Sequence, residues 1–288
     1  MILNFGSINL DLVYRVPHLP APGETLASTS FAKFLGGKGV NQSIAAARAG
    51  ATVRHVGCLG PDGDWLRDQI AGFGLTLDDI ATVDSPTGHA VIYVDDNAEN
   101  QIVLFGGSNQ GFEKARIDAV LSSAAAGDWV LLQNETNLVS YIAETAHRRG
   151  LNVAYSAAPF DADAVEEVLG AVTLLALNEG EAAALGAKTG KAPPDLGVDH
   201  VLITKGADGA ELHSNGQMFH QDSFLVEAID TTGAGDTFLG AFMARFLEGD
   251  AAGALNFAAA ASAIQVTREG AAAAIPSADE IEAFLRDA

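Results

Sequence analysis

Apolar residues fall along this chain in two rhythms. From residue 115 onward, helical spacing alternates with short apolar runs: helix 115–126 before strand 128–133, helix 138–149 before strand 152–156, helix 163–169 before strand 173–177, and a short helix from 179 before strand 200–204. Such alternation predicts right-handed crossovers, a mostly parallel sheet and helices on both of its faces. The first hundred residues read differently. A strand at 2–8 is followed by Leu12, Tyr14 and Val16 at every second position, then by Pro17, Pro20, Pro22 and Gly23, then by a second extended run after Thr25. That is an antiparallel excursion. Runs at 89–94 and 101–105 flank the polar connection 95–100 and predict a second one. The two together predict one small sheet, discontinuous in sequence (about 10–34 and 87–105), standing off a single domain that spans 1–288.

Between and after these come a small-residue helix at 43–49 capped by Gly50, and a hairpin turn at Ser214-Asn215-Gly216. A strand is predicted at 224–229. Two alanine-rich helices follow, and Ser277 with Glu280 forms a capping box for the last helix.

Composition narrows the partners. A formal charge of -21 on 288 residues argues against nucleic acid or an anionic membrane, neither of which gains from so acidic a surface. An anionic ligand must then be held by local devices. Cys58 is the sole cysteine, so no intrachain disulfide can form. No apolar run approaches a membrane span. A soluble, cytoplasmic protein is expected.

The candidate chemistry centres on Asp230-Thr231-Thr232-Gly233-Ala234-Gly235-Asp236, between the strand predicted at 224–229 and a helix from Phe238. Amides at a helix start lack intrahelical partners and suit an anion, and glycine lets that backbone approach a phosphate. A carboxylate in the same turn supplies a proton acceptor beside the held anion, which phosphoryl transfer to a hydroxyl requires. The dinucleotide fingerprint fails because its third glycine position holds Phe238, and the P-loop fails because Lys38 is followed by Gly39. Other polar clusters fall where strands end: Asn9 and Asp11, 36–41, 133–135, 178–181 and 204–209. In open α/β sheets that rim is where ligands bind.

With Gly36-Gly37-Lys38-Gly39-Val40-Asn41-Gln42 and 230–236 in order, supported by 6–11, 22–25, Asn178-Glu179-Gly180-Glu181 and 266–270, the chain resembles the ribokinase (PfkB-type) carbohydrate kinase family nearly end to end. The resemblance implies a ribokinase-like α/β fold, a Rossmann-like mostly parallel sheet with helices on both faces plus a small β-sheet lid. It implies transfer of the ATP γ-phosphate to a sugar hydroxyl. Asp236 is then the base, and the amides of Gly233, Ala234 and Gly235 form the anion hole. A helix-start position should favour the charged form of Asp236 and make it a weak base.

By the same resemblance Asn9, Asp11, Gly37, Lys38, Asn41 and Glu135 bind sugar, with Lys38 and Asn41 donating to its oxygens. Asn178, Thr204, Lys205, Gly206, Ala207, Asp208, Gly209, Gly235 and Ala259 bind the nucleotide. Glu181 holds Mg²⁺ through water, and Asp230, Thr232, Gln265, Arg268, Gly270 and Ala274 ring a monovalent cation, K⁺. Polar Gln133-Asn134-Glu135 and the absence of asparagine from 153–159 depart from the family pattern and bear on which sugar is accepted. D-ribose, phosphorylated at O5, is the favoured acceptor. Fructose, ketodeoxygluconate or a nucleoside is the alternative, and a non-catalytic sugar-binding regulator on the same scaffold is the rival from another class. A homodimer through the lid is expected, because a small sheet with bare edges is a liability unless paired.

Overall fold

The computed structural model describes residues 1–97 and 99–288; of the connection 95–100, Ala98 therefore lies outside the described residues. In chain order the strands are β1 (Ile2–Phe5), β2 (Asn9–Arg15), β3 (Ser30–Gly36), β4 (Val53–Leu59), β5 (Ile80–Thr82), β6 (His89–Val94) and β7 (Asn100–Phe105). They continue with β8 (Trp129–Leu132), β9 (Asn152–Ser156), β10 (Leu174–Asn178), β11 (His200–Thr204), β12 (Ala210–Ser214) and β13 (Gln217–Gln221). The helices are α1 (Lys38–Arg48), α2 (Asp64–Gly72), α3 (Lys114–Ser122), α4 (Val139–Arg148), α5 (Ala162–Val168), α6 (Glu179–Thr189), α7 (Ala234–Phe246), α8 (Ala251–Val266) and α9 (Ala278–Asp287).

Nine strands form the main sheet in the order β13-β12-β11-β10-β9-β8-β1-β4-β5. From β5 to β11 all neighbours are parallel, and β12 and β13 close one end antiparallel. Successive residues of the parallel strands enter opposite cores. Val130 and Leu132 join Val153, Tyr155, Leu175 and Leu177 on one face, while Leu131, Ala154, Leu174 and Ala176 meet α7 and α8 on the other. Burial on both faces explains why these strands read as continuous apolar runs.

The second sheet has the order β3-β2-β6-β7. Its strands come from both predicted excursions, joined by parallel pairing of β2 with β6. It leaves Ile102, Val103 and Leu104 of β7 51, 58 and 56% exposed. Successive residues of a strand point to opposite faces, so β7 is bare on both.

Three local expectations need correction. The helix predicted at 43–49 begins at Lys38, so Gly39, Asn41 and Gln42 lie in its first two turns instead of a preceding loop. The helix from 179 is not short; it runs eleven residues and ends at Gly190 in the left-handed region. The strand predicted at 224–229 does not form. β13 is already the last strand of its sheet, and this segment is tied instead to the end of α8, Ile229 N and Asp230 N donating to Val266 O at 2.7 and 3.2 Å. Its apolar residues line a cavity and so imitate a half-buried strand in the sequence.

Candidate active site

Helices α1 and α7 bring the two glycine-rich stretches together. They pack closely because Gly240 has no side chain: a Cβ there would lie 2.5 Å from Ala45 Cβ and 2.6 Å from the Gln42 carbonyl oxygen. That approach delivers the Asp236 carboxylate to α1. Gln42 Nε2 donates to Asp236 Oδ1 at 2.8 Å, and Asn41 Nδ2 donates to Oδ2 at 3.3 Å. Asn41 Nδ2 keeps a second hydrogen beyond the one given to Asp236, and its Oδ1 is buried without a partner among the described residues. A second layer steadies the first. Gln133 Nε2 donates to Gln42 Oε1 at 2.7 Å and to Asn4 Oδ1 at 3.0 Å, and Asn4 Nδ2 donates to the Gly39 carbonyl at 2.7 Å.

The ionisation of Asp236 is opposite to the expectation. Burial pushes its pKa up, and the Lys38 charge and the amides of Gln42 and Asn41 offset this only in part, while Glu135 adds to it. Desolvation of a carboxylate beneath packed helices outweighs the favourable helix start. The group is a stronger base than a surface aspartate.

The turn before α7 has Gly233 at φ 77°, a left-handed conformation that suits glycine. Among the described residues, the amides of Gly233, Gly235 and Asp236 have no hydrogen-bond partner, whereas Ala234 N donates to Thr231 O at 3.2 Å. Three free amides thus remain, one of them belonging to Asp236 itself, which the sequence reading had not included. They line a cavity of about 280 Å³ with Lys38, Asn178, Glu181 and Thr204.

This cavity shares Thr204, Thr231, Ala234 and Gly235 with a second, of about 390 Å³, lined by Gly206, Ala207, Gly209, Phe224, Leu225, Val226, Phe238 and Ala259. A polar chamber at the helix start thus opens onto an apolar slot. Lys205 and Asp208 line neither cavity. Lys205 is paired with Glu211, which it holds below the usual carboxylate range. Asn178 and Glu181 form a reciprocal capping box at the start of α6, with Glu181 Oε2 accepting from Asn178 N at 2.8 Å. Burial pushes the Glu181 carboxyl up, against the opposing effects of that bond and of Lys38.

On the other side of Asp236 lie the residues beneath the small sheet. Glu135 accepts from Ser7 Oγ and, at 2.9 Å, from Lys38 N. Asn9 Oδ1 accepts from Asn109 Nδ2 at 2.7 Å. Asp11 has its pKa raised to about 7 by burial and then by the Glu135 charge. No described hydrogen bond reaches either of its oxygens. Gly36 makes room for it, since a Cβ there would lie 2.0 Å from Asp11 Oδ2. Ser7, Gln42 and Asn109 were not singled out from the sequence. Gln42 and Ser7 lie inside quoted motifs, which carried the signal; Asn109 gave none.

Asp230, Thr232, Gln265, Arg268, Gly270 and Ala274 gather beneath the turn. Thr232 N and Gly270 N donate to the two Asp230 oxygens at 2.9 Å each, and Arg268 donates to the Ala274 carbonyl at 3.4 Å. The carbonyls of Thr232 and Gly270 accept from Gln265 Nε2 at 3.0 and 3.2 Å. A cation ringed by those oxygens would contend with the amide already among them, so the residues as arranged do not fit K⁺.

A model of the family described as pfkB family carbohydrate kinase matches residues 1–278. The ribokinase of Haemophilus influenzae is 37% identical, over 98% of this chain and 97% of that protein. Among solved structures, the ribokinase of Thermotoga maritima superposes with a TM-score of 0.88 at 35% identity, covering 99% of this chain and 98% of the other. The ribokinase of Arabidopsis thaliana complexed with ribose and ATP gives 0.85 at 28% identity, covering 99% and 97%.

Proposed function

This chain belongs to the pfkB family of carbohydrate kinases, and from that premise we propose that it transfers the γ-phosphate of ATP to O5 of D-ribose. The observation that carries the reading is the buried Asp236 carboxylate, hydrogen-bonded by Asn41 and Gln42, in the same turn as the free amides of Gly233 and Gly235. Adenosine fits the apolar slot and the triphosphate the polar chamber. A sugar beneath the small sheet would place its hydroxyl between Asp236 and the γ-phosphate.

In this scheme Asp236 orients the hydroxyl and takes its proton as the bond to phosphorus forms. The raised pKa favours that acceptance. The amides and Lys38 balance charge on the transferring group, whose loose transition state asks more of electrostatics than of early deprotonation. Asn9, Asp11 and Glu135 offer acceptors to the sugar hydroxyls. Mg²⁺, when bound with ATP, would be held near Glu181 and Asn178 through its waters, and it supplies charge neutralisation at the phosphates. Closure of the small sheet as a lid over the sugar would keep water from the anion hole. We assign the bare strand β7 and the lid's exposed apolar residues to a homodimer contact. No helix among the described residues is long and apolar enough to cross a membrane, and an ATP-dependent reaction suits the cytoplasm.

The test is an ADP-release assay across ribose, fructose, ketodeoxygluconate and nucleosides. Ribose should give the highest kcat/KM. Asp236→Asn should lower kcat by about 10²- to 10⁴-fold with sugar affinity little changed. Absence of ADP release with every acceptor would favour the sugar-binding regulator instead.

A further inference from the structure

Gln265 is completely buried near the end of α8. Its Oε1 accepts from Thr237 Oγ1 at 3.0 Å, on the second turn of α7. Its Nε2 donates to three carbonyls that converge on it, Thr232 at 3.0 Å and Gly270 and Ala271 at 3.2 Å. Thr232 belongs to the turn that opens α7, and the other two to the segment after α8. The amide therefore ties the anion-hole turn to the segment below it. It lies directly under the turn, since a Cβ built on Gly233 would be 3.6 Å from Nε2.

Three carbonyl oxygens pointing at one spot repel one another and need positive charge between them. A monovalent cation can supply it, and so can an amide nitrogen with two hydrogens to share among them. Only one of these can occupy the spot. The carboxylate nearby, Asp230, is already met by the amides of Thr232 and Gly270, and the Ala274 carbonyl is engaged by Arg268.

We infer that the Gln265 side chain stands where the family's fold would hold K⁺, so that the anion hole is ordered by the chain itself and does not depend on a monovalent cation. Gln265 is a positioning residue: it touches no substrate and acts through the Thr232–Gly233 backbone. The inference rests on the proposed kinase reading for the meaning of that turn, but not for the amide's contacts.

The experiment compares KCl with choline chloride at equal ionic strength, reading both thermal melting without substrates and the kinetics of ribose phosphorylation. Wild type should melt at the same temperature and keep its kcat within about twofold in either salt, because the spot among the three carbonyls is already filled by the amide. Gln265→Ala removes the amide and opens the space. It should melt lower and lose about tenfold or more in kcat in choline, and KCl should restore both, since an ion bound only to the native fold stabilises it. Gln265→Met fills the space without a donor; it should be impaired in both salts, with no recovery in KCl. Stimulation of wild type by K⁺ beyond about fivefold, which only an ion-binding site explains, would overturn the inference. So would a Gln265→Met variant equal to wild type in choline. Because the melting arm needs no substrate, it stands even if ribose proves to be the wrong acceptor.

Discussion

Asp11 offers the most quantitative check on the sugar side of the cleft. Its carboxyl is raised to about 7 from 3.8, first by burial and then by Glu135. A raised acid destabilises the native state once it ionises. The penalty is absent below pH 3.8, grows through the window between the two values, and is complete above pH 7. Taking about 1.4 kcal/mol per unit, it reaches about 4 kcal/mol at pH 8 and about 1.5 kcal/mol at pH 5. The first figure is an upper bound, because Asp11 keeps some exposure and water screens it there. Asp11→Asn keeps the shape, removes the charge and breaks no described hydrogen bond. The variant should therefore be more stable than wild type by a few kcal/mol at pH 8, with a gain at pH 5 smaller by about 2.5 kcal/mol at most. Urea unfolding of ligand-free protein at the two pH values, compared at constant m, measures this directly. An equal shift at both values, or a less stable variant at pH 8, would refute the argument. The same variant should lose sugar affinity, so stability and binding are expected to move in opposite directions.

Two further outcomes follow from the same geometry. Sugar hydroxyls donating to Asp11 favour its ionised form, so ribose affinity should rise by up to about tenfold per pH unit on approaching pH 7 from below and level off above it. Calorimetry in buffers of different ionisation enthalpy should show proton release, and a flat profile from pH 5 to 8 would count against the role. At the lid, Ile102→Lys with Leu104→Lys should convert a dimer to a monomer by light scattering at micromolar concentration. Unchanged mass would remove the contact from β7.

The layered architecture was legible because its signal is local. Val130, Leu131 and Leu132 are all apolar since both faces of β8 are covered, and periodicity reports that without knowing the partner. Residues 224–229 show the limit of the same signal: an apolar run reads as a strand whether its side chains pack in a sheet or line a slot. The site residues that were missed share one property. Ser7 and Asn109 matter through contacts with segments distant in sequence, and nothing around Asn109 marks it. The ionisation of Asp236 failed for the same reason. Its helix-start position is visible locally, but the burial that outweighs it comes from α1 packing against Gly240 of α7.

The carboxylates of the cleft decide how far one bound polar ligand can help another in so acidic a chain. Asp11, Asp236 and Glu181 are all raised by burial, and Glu135 adds to the load on the first two. Lys38 opposes the charge on Asp236 and Glu181 from the cavity they share. Without ligands the cleft is thus short of donors and positive charge. A polyol brings hydroxyl donors, and each one given to Asp11 relieves part of the desolvation that burial imposed. An anion without a counter-ion brings the opposite, and meets that negative charge with only Lys38 and three amides in its favour. Ribose should therefore bind the empty protein without help, but because its hydroxyls hold Asp11 ionised it leaves the cleft more negative below pH 7, and ATP should bind no better, and at pH 6 more weakly, once the sugar is in place. Titrating ATP with and without saturating lyxose, a stereoisomer of ribose, at pH 6 and pH 8 separates this from simple crowding of the site, because Asp11 is already ionised at the higher value. Weaker nucleotide binding with lyxose at pH 6 that vanishes at pH 8 supports the electrostatic account, and tighter binding, or the same result at both values, defeats it.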